Sequence, residues 1–252
     1  MKPIEIFPIQ NVPLIKRGDD LARIIVDSAI KQQTPIEEKD ILVVTHKIVS
    51  KAEGKVVNLE DVSPSEQARE IAQKTDKDPK FVEVVMRETK EVVRLGHNSL
   101  ITETKNGTIC ANAGADKSNI EGESNIALLP TNSDKSAREI RKEIKKLTGK
   151  DVAIIISDTH GRPLRMGEIN VAIGIAGITP TKDRRGEEDL FGYVLKVKQT
   201  AIADELASAA ELVIGQANEG RPVAIIRGYK YTPTENASAR QLIRPKEADL
   251  FR

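Results

Sequence analysis

The sequence predicts a mixed α/β to α+β fold, in which mixed β-sheets carry flanking helices. Three continuous apolar runs, at residues 41–44, 152–156 and 223–226, indicate strands that are covered on both faces. Segments with apolar residues at helical spacing alternate with these strands. Because several strand pairs are expected to be antiparallel, we expect a mixed sheet. A chain of 252 residues can form one large domain or two small lobes, and we expect two lobes around a cleft.

The N-terminal half begins with a predicted strand over residues 4–9, interrupted by Pro8 and followed by a loop over 12–16. Asp19 is expected to cap the first helix, which carries Leu21, Ile24, Ile25 and Ile30. Residues 63–66 (SPSE) have the pattern of a capping box with proline at the first helical position, which predicts a helix over 64–74. A further helix is expected over 79–91.

In the middle of the chain, Asn106-Gly107 predicts a hairpin between strands at 100–104 and 107–111. Ser133 or Asp134 is expected to cap a helix that Gly149 ends. Gly174 and Gly177 interrupt the apolar stretch 171–178, which indicates close approach of another backbone. The last helix is expected over 199–213.

The composition excludes several classes of protein. A net charge of +1 gives no long-range field, so we expect neither nucleic-acid nor membrane-surface binding. Cys110 is the only cysteine and there are three histidines, which argues against a disulfide framework, a cysteine zinc cluster and a histidine-rich metal site. No segment approaches the roughly 18 apolar residues of a membrane helix, and no signal peptide is evident. We therefore expect a cytoplasmic protein.

The segment 156–162 (ISDTHGR) is the strongest candidate for a chemical site. The strand over 152–156 is expected to deliver Asp158 at its carboxyl end, where open α/β sheets gather ligands. Thr159 adds a hydroxyl, and Arg162 and Arg165 add positive charge. Such oxygen donors suit magnesium or manganese better than zinc. The same residues would also fit a plain turn capped by Asp158.

Three further residues are weaker candidates by themselves. Asp116 lies in a loop of small residues that could hold a metal ion but equally fits an ordinary turn. Lys47 and Lys51 follow the strand over 41–44, where they could balance phosphate charge, although lysine is common on surface turns. Pairing with Asp158 would give Asp116 a function.

The glycine-rich loop from Gly215 to Gly220 is not a Walker loop. Arg221-Pro222 replaces the lysine and hydroxyl residue, and the loop leads from helix to strand. Gln216, Asn218 and Arg221 could still face a ligand. The absence of GxGxxG and GxSxG patterns gives no support to a Rossmann dehydrogenase or to a nucleophile elbow.

Several segments carry a family resemblance through their order and spacing. They are VPLIK at 12–16, SKAEG at 50–54, NAGAD at 112–116 with Ser118 and Asn119, SDTHGR at 157–162, AIGIAG at 172–177, and Lys182-Asp183 with DLFG at 189–192. Together they resemble the coenzyme F420-0:L-glutamate ligases of archaeal type, GTP-dependent γ-glutamyl ligases of deazaflavin coenzyme biosynthesis. The resemblance runs from about residue 4 to 228. We therefore expect a catalytic domain over 1–228 and a C-terminal arm or extension over 229–252.

The resemblance implies a set of ligand-binding residues. Two divalent metal ions, manganese or magnesium, would be held by Asp116, Asp158, Thr159 and Gln216, with Asp116 and Asp158 as the catalytic pair, and a potassium ion would also be needed. His46 departs from the small hydroxyl residues of some relatives. The residues implied to contact GTP are Val12, Pro13, Leu14, Ile15, His46, Lys47, Lys51, Asn119, Ile214, Gly215, Gln216, Ala217, Asn218, Glu219, Gly220 and Arg221. An intertwined homodimer is implied as well.

The implied reaction joins L-glutamate to coenzyme F420-0 and forms GDP and phosphate. A carboxylate is a poor electrophile, so phosphorylation by GTP would first convert it to an acyl phosphate that the glutamate amine attacks. Positioning and charge neutralisation drive such a transfer, and no protein nucleophile is required. The arginines that could hold the anionic substrates are Arg162, Arg165, Arg184 and Arg185. Two alternatives stay open: a metal-dependent phosphohydrolase or kinase, and a nucleotide-binding protein without catalysis.

Overall fold

A computed structural model describes residues 3–250 and has the predicted α+β composition. The helices are α1 (Leu21–Lys31), α2 (His46–Ala52), α3 (Glu66–Thr75), α4 (Pro79–Glu88), α5 (Ser133–Thr148) and α6 (Ile202–Ile214). The strands are β1 (Glu5–Pro8), β2 (Ile41–Thr45), β3 (Val56–Asn58), β4 (Thr89–Gly96), β5 (Ser99–Thr104), β6 (Ile109–Ala111), β7 (Asn125–Ala127), β8 (Ala153–Arg162), β9 (Arg165–Ala176), β10 (Lys182–Asp183), β11 (Gln199–Thr200) and β12 (Val223–Arg227).

A five-stranded sheet in the order β1-β12-β2-β8-β9 forms the centre of the fold. β2 and β8 are parallel and the other pairs are antiparallel, which confirms the predicted mixed sheet. Leu42 and Val44 of β2 pack on one face with α1 and α5, whereas Ile41 and Val43 pack on the other face with α6. Apolar residues on both faces explain the continuous apolar run in this strand.

A separate core lies outside the central sheet. It contains residues of α3, α4, β5 and β7, among them Ile71, Val85, Leu100 and Ile126. The three-stranded sheet β4-β5-β6 includes the predicted hairpin, in which Gly107 has a φ of +88° and donates its N–H to the Thr104 carbonyl at 2.8 Å. The two lobes and the cleft between them stay predictions.

The N-terminal caps of three helices differ from the sequence prediction. Asp20, not Asp19, caps α1, because the Asp19 carboxylate instead accepts from the Lys16 N–H at 2.7 Å. Ser65, not Ser63, caps α3, so Pro64 lies outside the helix. Asn132 caps α5 in place of Ser133 or Asp134. Neighbouring residues with equal capping ability compete, and the direction from which the backbone enters the helix decides between them.

Two predicted helices were too long. The helix expected over 79–91 ends at Glu88, because residues from Thr89 onward pair with β5 as strand β4. The helix expected over 199–213 begins at Ile202, because Gln199 and Thr200 pair with Asp183 and Lys182. Gly149 ends α5 as predicted, in the left-handed conformation that glycine adopts easily.

The segment after β12 packs on the rest of the protein. Ala237 and Ala239 are buried in the core on the α6 side of the central sheet. The Asp134 carboxylate accepts from Ser238 Oγ at 2.7 Å, from the Ala239 N–H at 3.0 Å and from the Ile175 N–H at 2.9 Å. Arg240 Nε donates to the Asn106 carbonyl at 3.3 Å. Within residues 3–250, no helix is long and apolar enough to cross a membrane.

Candidate active site

Asp158 lies within strand β8 and not at its end, which corrects the sequence prediction. The antiparallel ladder of β8 with β9 continues to Arg162, so polar residues 157–162 form the outer part of a long hairpin. The parallel ladder with β2 does stop here, because its last pair is Thr45 with Ser157. Asp158 therefore follows the carboxyl edge of the parallel pair, where α2 begins at His46.

The Asp158 carboxylate is held between two imidazoles. Its Oδ1 lies 3.2 Å from His46 Nε2, and its Oδ2 lies 3.0 Å from His160 Nε2. The Thr159 N–H donates to Oδ1 at 2.8 Å. Burial acts to raise the pKa of Asp158, but the His46 charge and the hydrogen bonds from both histidines outweigh it and hold the pKa well below its usual range. The carboxylate is therefore ionised at neutral pH.

Asp116 is paired with Lys47, the residue next to His46. Lys47 Nζ lies 2.7 Å from Asp116 Oδ2, and it also contacts Ser118 Oγ. Ser118 donates its N–H to Oδ1 and its hydroxyl to Oδ2, both at 2.8 Å. Burial acts to raise the pKa of Asp116, yet the hydrogen bonds from Lys47 and Ser118 lower it overall. Consecutive residues at the start of α2 thus contact the two carboxylates that were predicted to bind metal.

The Thr159 hydroxyl lies between two amide side groups. Thr159 Oγ1 is 2.8 Å from Asn170 Oδ1 and 3.1 Å from Gln216 Oε1. Gln216 Nε2 donates to Glu211 Oε1 at 2.8 Å, which orients the amide. The structure therefore brings three of the four predicted metal ligands, Asp158, Thr159 and Gln216, into one connected group.

Sequence reasoning missed Asn170 and gave His160 no role. Asn170 is 2% exposed and lies in β9. A buried polar residue inside an otherwise apolar run (INVAIGIA, 169–176) is the signal that could have identified it. His160 follows Asp158 by two residues, and within a strand such residues lie on the same face.

A second series of contacts joins three of the segments that the resemblance assigned to GTP. Lys51 Nζ donates to the Asn119 carbonyl at 2.7 Å, and Asn119 Nδ2 donates to the Ala217 carbonyl at 3.0 Å. The Ala217 N–H in turn donates to Glu219 Oε2 at 2.8 Å. Burial and the neighbouring charge of Lys47 lower the pKa of Lys51. The two lysines of α2 therefore lie close together, and one of them, Lys47, pairs with Asp116.

Other predicted residues lie away from these contacts or have their own partners. In the loop over 12–15, Ile15 packs into the core on the α1 side and Leu14 is exposed. Arg184 and Arg185 pair with Glu187 and Asp183 near β10. In the described part of the protein, the buried Nε atoms of Arg162 and Arg221 have no hydrogen-bond partner.

The donor atoms fit a hard divalent cation by their chemistry. Two ionised carboxylates, one hydroxyl and one amide oxygen form an all-oxygen set of the kind that magnesium and manganese prefer. Over residues 3–250 there is no group of three or more His, Cys, Asp or Glu residues that could hold a metal ion. A metal site here would therefore need hydroxyl and amide oxygens beside the carboxylates, as in the predicted ligand set, where Thr159 and Gln216 supply them.

Comparison with known proteins gives a consistent result. The model of the family described as F420-0:Gamma-glutamyl ligase matches residues 10–228. The chain is 49% identical to a coenzyme F420:L-glutamate ligase of Methanocaldococcus jannaschii, over 100% of this chain and 98% of that protein. Proteins of the same name from Methanothermobacter thermautotrophicus and Methanopyrus kandleri are 43% and 46% identical, over 99% and 97% of both chains.

Proposed function

Since the chain belongs to the F420-0:gamma-glutamyl ligase family, we propose that it joins L-glutamate to coenzyme F420-0 through a γ-glutamyl amide bond, with GTP as the source of energy. Family membership makes it a ligase. The observation that carries the proposal is the contact of His46 with Asp158 and of Lys47 with Asp116. Two ionised carboxylates thus contact the start of α2, and a second lysine, Lys51, follows in its last turn. Carboxylates and lysines so close together are a suitable setting for a nucleoside triphosphate.

The proposed reaction has two stages. A carboxylate oxygen of the coenzyme attacks the terminal phosphorus of GTP, the bond to GDP breaks, and an acyl phosphate forms. The glutamate amine then attacks the acyl carbon and releases phosphate. This order of steps suits a ligase without a protein nucleophile, because positioning and charge neutralisation suffice.

Divalent manganese or magnesium would be held by Asp116, Asp158, Thr159 and Gln216, with a potassium ion required in addition. When bound, such ions neutralise phosphate charge and polarise the phosphoryl group. The protein residues have separate tasks. Lys47 and Lys51 supply positive charge beside the phosphates, His46 and His160 hold the Asp158 carboxylate in place, and Asn170 orients the Thr159 hydroxyl. The contacts from Lys51 through Asn119 to Ala217 support a nucleotide-binding role for these segments.

A homodimer forms part of the proposal. Large apolar residues are exposed at the tip of the β8–β9 hairpin and in the segment between β10 and β11, among them Leu164, Met166, Leu190, Phe191 and Val197. Exposed apolar groups of this extent favour a protein interface. We expect a dimer in analytical ultracentrifugation that Phe191→Ser weakens. A wild-type monomer would contradict this part of the proposal.

The function is tested by incubating the protein with GTP, manganese, L-glutamate and coenzyme F420-0. Mass spectrometry is expected to show the mass of one added glutamate residue, with GDP formed in equal amount. GDP that forms without dependence on glutamate would favour a phosphohydrolase or kinase. Metal-dependent GTP binding without turnover would favour a nucleotide-binding protein. ATP in place of GTP is the matched control for the nucleotide.

A further inference from the structure

A cavity of about 240 Å³ adjoins the Asp158 site. It lies between β9, the first turn of α6, the β5–β6 hairpin and the segment that follows β12. Its apolar walls come from Ile109, Val171, Ile173, Leu242 and Ile243. This volume is below that of typical pockets for larger cofactors, which start at about 300 Å³. The cavity is partly open to solvent, and its volume suits a ligand of amino-acid size.

His160 connects this cavity to the proposed reaction centre. Its imidazole lines the cavity, and its Nε2 lies 3.0 Å from Asp158 Oδ2. A molecule in the cavity would therefore be separated by one imidazole ring from Asp158, the carboxylate that the proposed function places at phosphoryl transfer. Of the two amide-forming substrates, the amino acid fits the size of this space.

Asp204 supplies the negative charge of the cavity. Its Oδ1 accepts from the Ala172 N–H at 2.9 Å, which fixes the carboxylate between α6 and β9. In contrast to Asp116 and Asp158, it makes no ion pair with a lysine, arginine or histidine in the described part of the protein. His160 is the titratable group that faces it from β8, and the other lining residues are uncharged. Burial raises the pKa of the Asp204 carboxyl, which makes it a stronger proton acceptor.

The charges of the substrates decide which group Asp204 can hold. GTP, the coenzyme and the acyl phosphate carry no cationic group that could pair with Asp204. The ammonium group of the amino acid is the one cation among the proposed organic substrates. We infer that Asp204 binds the ammonium group of the incoming L-glutamate and accepts a proton from it before the nitrogen attacks. This inference rests on the proposed function and deepens it.

Transfer of one proton from the ammonium group to the Asp204 carboxylate frees the nitrogen lone pair. That pair forms the C–N bond at the acyl carbon, and the bond between the acyl carbon and the bridging phosphate oxygen breaks, with its electrons remaining on the phosphate. The second proton lost by the nitrogen goes to the departing phosphate.

The test compares Asp204→Asn with Glu205→Gln. Asparagine retains an acceptor for the Ala172 N–H, and Glu205 is an exposed acid in the same helix turn, so both variants lose one charge there. We expect Asp204→Asn to raise the KM for L-glutamate about tenfold or more and to lower kcat, with the KM for GTP nearly unchanged. Glu205→Gln is expected to behave as the wild type.

Two further measurements separate binding of the ammonium group from a structural role. Hydroxylamine, which is uncharged at neutral pH, is expected to trap the acyl phosphate equally well in Asp204→Asn and wild type. The second measurement uses the wild type and 2-hydroxyglutarate, in which a hydroxyl replaces the ammonium group. The inhibition constant of 2-hydroxyglutarate against L-glutamate is expected to be at least about tenfold higher than the dissociation constant of L-glutamate. Because it needs only the wild type, the measurement with 2-hydroxyglutarate tests the inference even if the Asp204→Asn variant does not fold.

The outcomes distinguish the two proposals. A wild-type protein that forms no glutamylated coenzyme contradicts the proposed function. A wild-type ligase whose Asp204→Asn variant has an unchanged KM for L-glutamate overturns the role of Asp204 alone. Equal loss of the hydroxylamine and glutamate reactions, or tight competition by 2-hydroxyglutarate, would overturn it as well.

Discussion

His46 Nε2 lies 3.2 Å from Asp158 Oδ1, so the first residue of α2 contacts the carboxylate of β8 directly. Both residues are nearly inaccessible to solvent, at 4% and 11% exposure of the imidazole and carboxylate groups. In such surroundings a charge is weakly screened, and loss of Asp158 would leave the imidazoles of His46 and His160 without their carboxylate partner. The contact makes the start of α2 and the site in β8 a single unit.

Asp158→Asn is expected to lower glutamylated product formation about 100-fold or more while the fold persists, because a neutral amide cannot replace the ionised carboxylate. The rate is measured by mass spectrometry and the fold by circular dichroism. Asp27→Asn, which changes an exposed acid on α1, is the matched control. Wild-type turnover by Asp158→Asn would show that the reaction does not need the Asp158 carboxylate.

Asn170→Ala is expected to raise the manganese concentration needed for half-maximal activity by about 10–100-fold. The variant removes the oxygen that lies 2.8 Å from Thr159 Oγ1, so the hydroxyl loses its orientation. Ser208→Ala is the control, because Ser208 Oγ donates to the backbone carbonyl of Asn170 at 2.8 Å. Its loss leaves the contact of the Asn170 amide with Thr159 in place. An identical manganese dependence in both variants would contradict the role given to Asn170.

Lys51→Met is expected to raise the KM for GTP about tenfold, because a charge-assisted hydrogen bond and a positive charge beside the phosphates are lost. Initial rates at varied GTP concentration provide the measurement. Lys117→Met removes an exposed positive charge from the adjacent loop and is expected to have little effect. A larger effect in the control than in Lys51→Met would argue for a general charge effect.

Gly174→Ala is expected to destabilise the protein by about 1–3 kcal/mol or more. A Cβ at this position would lie 2.5 Å from the backbone carbonyl carbon and oxygen of Ser133, and these atoms cannot move away as the end of a flexible side group can. Gly161→Ala, with no atom within 4 Å of the added Cβ, is the control. Urea unfolding of both variants gives the comparison, and equal midpoints would refute the steric argument.

Asp151→Asn is expected to lower the free energy of unfolding at pH 7. Burial acts to raise the pKa of Asp151, but the Lys145 hydrogen bond and the Arg141 charge lower it below the ordinary value of 3.8. The ionised group therefore stabilises the fold above pH 3.8, and this contribution is lost as the pH falls through the lowered folded-state pKa. Because the carboxylate group is 37% exposed, screening limits the effect to about 1 kcal/mol.

The measurement for Asp151→Asn is urea unfolding at pH 7 and at about pH 2, where the difference from wild type is expected to disappear. Glu143→Gln, which removes an exposed pair with Lys146, is expected to change stability little at either pH. A difference that persists in acid would show that the ionised carboxylate is not the cause.

The sequence predicted strands best where a strand is buried on both faces. β2 and β12 were found within one residue of their ends, because continuous apolar runs leave few alternatives. The outer part of β8 was missed because residues 157–162 are mostly polar, and their pairing with β9 depends on a hairpin that no local pattern specifies. β4 was missed as well, because half-buried and exposed positions do not alternate regularly along it.

The site shows a similar division. Asp158 could be identified because it follows an apolar strand, and the resemblance supplied Asp116, Thr159 and Gln216. The partners His46, His160 and Asn170 could not be identified by role, because their meaning comes from contacts between residues far apart in sequence. Asn170 and Gln216, for example, meet Thr159 from separate elements.

Residues 239, 242 and 243 form one wall of the cavity, in the segment that hydrogen-bonds to Asp134. This segment is synthesised after every other wall, because it follows the β5–β6 hairpin, β9 and α6 in the sequence. Synthesis proceeds from the N-terminus, and earlier parts can fold as they emerge. A nascent polypeptide that extends to the end of α6 would thus contain Asp116, Asp158 and Asp204 while its cavity is still open to water. The proposed amide formation would then require the completed wall, which keeps water away from the acyl phosphate.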